Sequence, residues 1–236
     1  MDASGYVTLS RQSGLMNQMQ SIANNIANSA TIGFRREGLV FSEYIQSTGE
    51  GPSLSMGYGN ARVVDLLQAG LTETGGSFDL AIEGDGFFMI DTPQGQQLTR
   101  SGAFMPGPDG TLKTVDGYDV LDAGGSTIFV PPDARGVSVA QDGTISADGA
   151  PLARIGLWQP TNLMSLTHQS GTRFTADGVE PATDGTIIHG YLEESNVDPL
   201  REIADMISVQ RAYELGQSFL DREDERARAV IQTLGR

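Results

Sequence analysis

Cysteine is absent from this 236-residue chain. Its absence removes disulfides, zinc–thiolate sites and thiol nucleophiles together. It also suits a protein that must stay unfolded in transit. Histidine is nearly absent: His168 and His189 are the only two, in unrelated contexts. Basic residues are scarce, 15 Lys and Arg against 30 Asp and Glu, and the formal charge of −15 makes nucleic acid and anionic membrane surfaces poor partners. No run of about 18 apolar residues is present, so no membrane span is expected. Met1 to Arg11 lacks a basic stretch followed by an apolar core, so an ordinary cleavable secretory signal is not expected either.

The catalytic signatures are missing as well. There is no Gly-x-Ser-x-Gly elbow, no phosphate loop and no complete Gly-x-Gly-x-x-Gly. Gly84-Asp85-Gly86 lacks the later glycine and precedes the apolar strand Phe87-Phe88-Met89-Ile90, so it reads as a structural turn. Neither the twelve-residue EF-hand pattern nor the nonapeptide repeat of calcium β-rolls occurs. With no credible nucleophile–base pair, the chain reads as neither an enzyme nor a cofactor or metal binder.

What is present divides into three parts. The last forty residues open with Asp198, a good N-cap, and Pro199, which suits the first helical position. From Pro199 to Leu234 there is no further proline and one glycine, Gly216, enough for a helix of about 54 Å. Met206, Tyr213, Leu220, Ala227 and Leu234 fall on one seven-residue row, with Ile203, Ile207, Val209, Val230 and Ile231 around it. A sustained heptad row asks for a partner helix wound alongside. Residues 5–30 supply a candidate, with Leu9, Met16, Met19, Ile22, Ala23 and Ile26 recurring at threes and fours. Its methionines pack adaptably against irregular partners. Asn24, Asn25 and Asn28 crowd its end. Asparagine is a mediocre helix former, so the cluster reads either as amides pairing across a helix–helix contact or as fraying toward the turn at Ser29 to Gly33.

The middle changes character. Seven Asp-Gly pairs lie between Asp85 and Gly185, in couples six or seven residues apart, flanking short segments such as Thr111 to Val115. Asp-Gly supplies the positive φ that tight hairpins need, so an antiparallel domain of hairpins is expected. The fold class is therefore α+β: N- and C-terminal helices paired as a coiled coil, with a central hairpin-rich β domain. The expected boundaries are 1–30 and 196–236 for the helical domain, 31–62 for an irregular glycine-rich connecting arm and 63–195 for the β domain.

Three blocks carry a resemblance. They are Ser21-Ile22-Ala23-Asn24-Asn25-Ile26-Ala27-Asn28 running through Gly33-Phe34-Arg35; Phe78 to Phe88, with Gly84-Asp85-Gly86 inside it; and Gly190-Tyr191-Leu192-Glu193-Glu194-Ser195-Asn196-Val197, continuing to Met206-Ile207 and Gln210-Arg211-Ala212-Tyr213-Glu214. Their order and spacing resemble the bacterial flagellar basal-body rod and hook family end to end, and Thr99 to Phe104 is similar to a further family stretch. Ile32 departs from the pattern, standing where proline is common before Gly-Phe.

The resemblance implies a structural axial subunit of the basal-body rod, exported unfolded by the flagellar type III apparatus and assembled in the periplasm. Its partners would be copies of itself, other rod proteins and the export apparatus. The length and the opening Met1-Asp2 with Tyr6-Val7 point to a proximal rod subunit. A distal rod subunit is the alternative, and a secreted β-domain enzyme or a monomeric binding module are readings from other classes. The hook protein's additional outer domain has no room here. The expected assembly interface comprises Met16, Met19, Asn24, Asn25, Asn28, Gly33, Phe34, Asn196, Val197, Met206, Gln210, Arg211, Tyr213 and Leu220.

Overall fold

A computed structural model describes residues 3–46 and 54–234; Met1 and Asp2 of the opening motif lie outside the described residues, as do the side chains of Tyr6, Ala227, Ile231 and Leu234. The elements in chain order are α1 (Ala3–Ala27), β1 (Glu37–Gln46), β2 (Leu54–Val64), β3 (Leu71–Glu73), β4 (Leu80–Glu83), β5 (Phe88–Thr92), β6 (Gly95–Thr99), β7 (Phe104–Pro106), β8 (Leu112–Thr114), β9 (Asp119–Val120), β10 (Ser138–Val139), β11 (Thr144–Ala147), β12 (Ala150–Arg154), β13 (Trp158–Pro160), β14 (Thr167–His168), β15 (Arg173–Thr175), β16 (Val179–Pro181), β17 (Thr186–His189), β18 (Tyr191–Glu193) and α2 (Pro199–Leu234). The class is α+β, with the strands paired antiparallel wherever their register is defined. Two compact units result. One holds residues 1–27, 37–63 and 198–236, the other residues 28–36 and 64–197. The stretch 31–62, expected to be irregular, carries β1 and the start of β2, which pair as a two-stranded ribbon; its glycines drew the irregular reading.

In the helical unit, α2 starts as Asp198 dictates. The Asp198 carboxylate accepts from the amides of Leu200 (3.0 Å) and Arg201 (3.3 Å), satisfying two donors that the first turn leaves open. The two helices run antiparallel. Asn25 meets Glu202, while Gln12 reaches Tyr213 and Gln217. Leu15, Ile22 and Val209 are buried between them, with Met19, Ile26, Met206, Ala212 and Tyr213 packed around. At 25 and 36 residues the helices are unequal, and at about 1.5 Å per residue α2 outreaches α1 by roughly 16 Å.

The β unit is built on a seven-stranded sheet in the order β14-β15-β6-β5-β9-β8-β7, flanked by the three-stranded β10-β11-β12 and the ribbons β13-β16, β17-β4 and β18-β3. One core gathers Leu80, Ile82, Phe88, Ile90, Leu112, Val120, Ile128, Ile145, Ile155 and Ile187; a smaller one gathers Phe87, Met89, Leu98, Leu121, Leu166 and Phe174. Five of the seven Asp-Gly glycines take positive φ, those at 86, 110, 117, 143 and 149. Asp148-Gly149 makes the tightest link, a two-residue loop from β11 to β12 with φ +51° and +80°, the pattern of a type I′ hairpin. Gly178 and Gly185 do not take positive φ; these two pairs lie in the connections β15 to β16 and β16 to β17, whose strands do not pair with each other.

Ile145 is fully buried in the main core. Ile145→Ala is expected to lower the unfolding free energy of the β unit by about 2–5 kcal/mol, measured by urea denaturation with the single tryptophan, Trp158, as the fluorescent probe. A loss below about 1 kcal/mol would show that the core can close over the gap.

Candidate assembly interface and its ionic support

The motif residues of the β unit converge on one buried carboxylate. Glu193, 1 % exposed, closes β18; its Oε1 lies 2.9 Å from Arg35 Nη2 and its Oε2 2.8 Å from Arg100 Nε. The Ala69 amide also donates to Oε1 at 3.0 Å. Arg100 also donates to three backbone carbonyls, Gly84 at 3.1 Å and Gly86 at 2.6 Å from Nη1 and Ile82 at 3.2 Å from Nη2. The Gly84-Asp85-Gly86 turn therefore folds around a guanidinium. Arg35 donates to the Leu67 carbonyl. Burial first, and then the neighbouring Arg100 charge, lower the Arg35 pKa to about 10, against the opposing pull of Glu193 and Asp65. Two buried cations sharing one carboxylate need every one of these oxygens, because an unpaired buried charge is among the costliest features a fold can carry.

Gly33 and Phe34 belong to the same locality. Gly33 has φ +71°, and a Cβ there would sit 2.3 Å from the Ser101 amide nitrogen, so only glycine lets the two backbones approach. Phe34, fully buried, meets the His168 ring edge-on at 5.4 Å. His168 and His189 each present Nε2 to a backbone carbonyl, of Gly171 (2.7 Å) and Ser77 (3.0 Å), which are structural contacts. Asn196 and Val197 follow β18. Val197 is buried, and the Asn196 amide accepts from the Arg36 N–H at 2.6 Å while donating to the carbonyls of Asp65 and Leu67, both at 3.0 Å.

In the helical unit the asparagine cluster divides. Asn25 is fully buried. Its Oδ1 accepts from the Glu37 amide at 2.9 Å, and its Nδ2 donates to the Glu37 carbonyl at 2.9 Å and to Glu202 at 3.1 Å. One amide thus pairs with the first residue of β1 as a neighbouring strand would, and binds α2 as well. Asn24 and Asn28 are partly buried, and Asn28 accepts from the Thr31 hydroxyl at 3.2 Å. α1 ends at Ala27, three residues short of the expected boundary.

The remaining expected interface residues fall on two kinds of surface. Met19, Met206 and Tyr213 pack between α1 and α2. Met16, Gln210 and Arg211 are exposed, and Leu220 is half-buried. Ile203 and Ile207 do not thicken the α1-facing row; they are 46 % and 45 % exposed and join Leu200, 79 % exposed, on a separate stripe. Ile207 is about 100° around the helix from Met206, so a single heptad row could not hold both. Leu9 and Met16 are likewise outside the packed face of α1, where Leu15 is buried instead. Sequence reading missed Leu200, Leu215 and Phe219. The last two, with Val7, Arg11 and Leu15, line an open groove of about 400 Å³ between the helices. Among the described residues no group of acidic and histidine side chains could hold a metal, and no helix is long and apolar enough to cross a membrane.

Residues 81–147 match the model of the flagellar hook protein FlgE/F/G D1 domain, and residues 188–233 that of the flagellar basal body rod FlgEFG protein C-terminal region. The chain is 39 % identical over 245 aligned residues to the flagellar basal-body rod protein FlgF of Caulobacter vibrioides, covering 100 % of this chain and 99 % of the relative. It is 36 % identical to FlgF of Mesorhizobium japonicum with the same coverage. The flagellar basal-body rod protein FlgG of Bacillus subtilis is 32 % identical over 93 % of this chain and 94 % of its own length.

Glu193→Ala is expected to cost the β unit about 3–5 kcal/mol in urea denaturation, since it strands two buried guanidiniums. Arg35→Met should cost less, because Glu193 keeps Arg100. Equal costs for the two variants would contradict the central place given to Glu193.

Proposed function

The chain belongs to the flagellar basal-body rod protein family, and on that footing we propose that it is a proximal rod subunit, stacked helically with its own copies and with other rod proteins into a rigid drive shaft and export conduit. Full-length similarity to FlgF proteins supports the proximal position, while the lower identity to FlgG keeps the distal rod as the second reading. The protein is structural: its polar clusters are occupied in holding its own backbone together. Supercoiled pairing of α1 and α2, export in unfolded form by the flagellar apparatus and assembly in the periplasm belong to this proposal.

The observation that carries the assembly reading is the apolar stripe Leu200, Ile203 and Ile207 on α2, on a helix whose other face already packs against α1. Apolar area left in water at helical spacing is stabilised by burial at about 25 cal/mol per Å², and neighbouring subunits in a helical array supply that burial through heterologous contacts that propagate. Met16, Gln210, Arg211 and Leu220 are assigned to the same intersubunit surfaces. The charged run Asp221 to Arg226 stays solvated, with Glu223 and Arg226 paired at 2.7 Å.

The test is the double variant Ile203→Asp/Ile207→Asp in cells carrying no other copy. The purified protein should match wild type in circular dichroism and urea stability to within about 0.5 kcal/mol, as expected for exposed positions, while the cells build no hooks or filaments. Glu223→Gln, which removes only a partly exposed ion pair within one helix, should leave motility unchanged. Normal swimming of the double variant, with the protein present in isolated basal bodies, would overturn the assignment.

A further inference from the structure

The chain passes between its two units four times, at residues 27/28, 36/37, 63/64 and 197/198. Three of these passages are held together by one neutral side chain. Asn196 accepts from the Arg36 N–H at 2.6 Å and donates to the Asp65 and Leu67 carbonyls at 3.0 Å each, while its own amide donates to the Phe34 carbonyl at 3.4 Å. The Asp65 amide donates to the Arg36 carbonyl at 2.8 Å. The ionic cluster of Arg35, Glu193 and Arg100 binds the same three segments a residue or more away: Arg35 neighbours Arg36, Glu193 precedes Asn196, and Arg35 and Glu193 reach the backbone of Leu67 and Ala69. Serine or alanine at 196 is too short to reach these partners and could not supply one acceptor and two donors from a single planar group.

We propose that Asn196 is a load-sharing clamp: it distributes force arriving through one passage over all three. Hydrogen bonds loaded in parallel must break together, whereas bonds loaded in series break one at a time. Tension entering from α2 through residue 197 is passed by Asn196 to residues 36, 65 and 67 before the short strand β18 can peel from β3. The value of such a device rests on the drive-shaft reading above, but its mechanics are a property of the single chain and are measured without a rod.

The absence of cysteine makes the experiment direct. Arg222→Cys on α2 and Asp116→Cys at the turn between β8 and β9, both exposed, provide two unique handles on the full-length chain for optical-trap pulling. Asn196→Ala is expected to lower the force of the first rupture about twofold and to split it into two smaller steps, as three bonds of ordinary strength are lost together. Ile145→Val, which loosens the core remote from the passages, should lower equilibrium stability while leaving the first rupture unchanged. If the alanine variant does not fold, Asn196→Asp retains the shape and the acceptor for Arg36 but removes both donors, and should show the same fall in force. A first rupture indistinguishable from wild type, or lowered no more than by Ile145→Val, would overturn the clamp and leave the rod assignment untouched.

Discussion

A carboxylate with 1 % of its surface exposed fixes much of this molecule. Taken alone, Glu193 would be too costly to bury. It becomes tolerable only when β18, the segment around Arg35 and the strand end carrying Arg100 arrive together, and when Arg100 in turn finds carbonyls at Ile82, Gly84 and Gly86. Segments as far apart in the chain as Arg35 and Glu193 are thereby held at one place. This explains why the sequence blocks that carry the family resemblance lie so far apart in the chain: Gly33-Phe34-Arg35, the Gly84 to Gly86 turn, Thr99 to Phe104 and Glu193 to Val197 are partners of one another.

The helical unit solves a related problem with a neutral amide beside a buried carboxylate, Glu202. Asn25 offers an acceptor and donors to Glu37 and Glu202, joining α1, β1 and α2 through one buried amide. Polar specificity lies inside, and adhesive apolar surface lies outside, on α2 at Leu200, Ile203 and Ile207. A chain built this way fixes its geometry with internal polar contacts and leaves an apolar stripe of α2 exposed.

Much of this was legible in the residues. The Asp198-Pro199 cap and the uninterrupted run to Leu234 mark the second helix, and five of the seven Asp-Gly pairs mark turns with positive φ, because capping and positive φ are local physics. The buried amide at Asn25 was anticipated in kind; its partners, a strand end and Glu202, were not, since nothing local marks a glutamate as buried. Gly33 and Phe34 were expected between subunits and lie inside the β unit instead, Phe34 against His168. The two faces of α2 merged in a heptad reading because positions 206 and 207, neighbours in sequence, point about 100° apart. Ordinary hydrophobic periodicity finds apolar faces; it does not say which one the protomer itself covers.

The ionic cluster lies within one subunit and the α2 stripe is proposed to lie between subunits, a division that a density map of isolated basal bodies, resolved to side chains, measures directly. The predicted result has Glu193 paired with Arg35 and Arg100 of its own chain, and Leu200, Ile203 and Ile207 covered by a neighbouring subunit. A map in which Glu193 pairs across a subunit boundary, or in which the α2 stripe faces water, would contradict it.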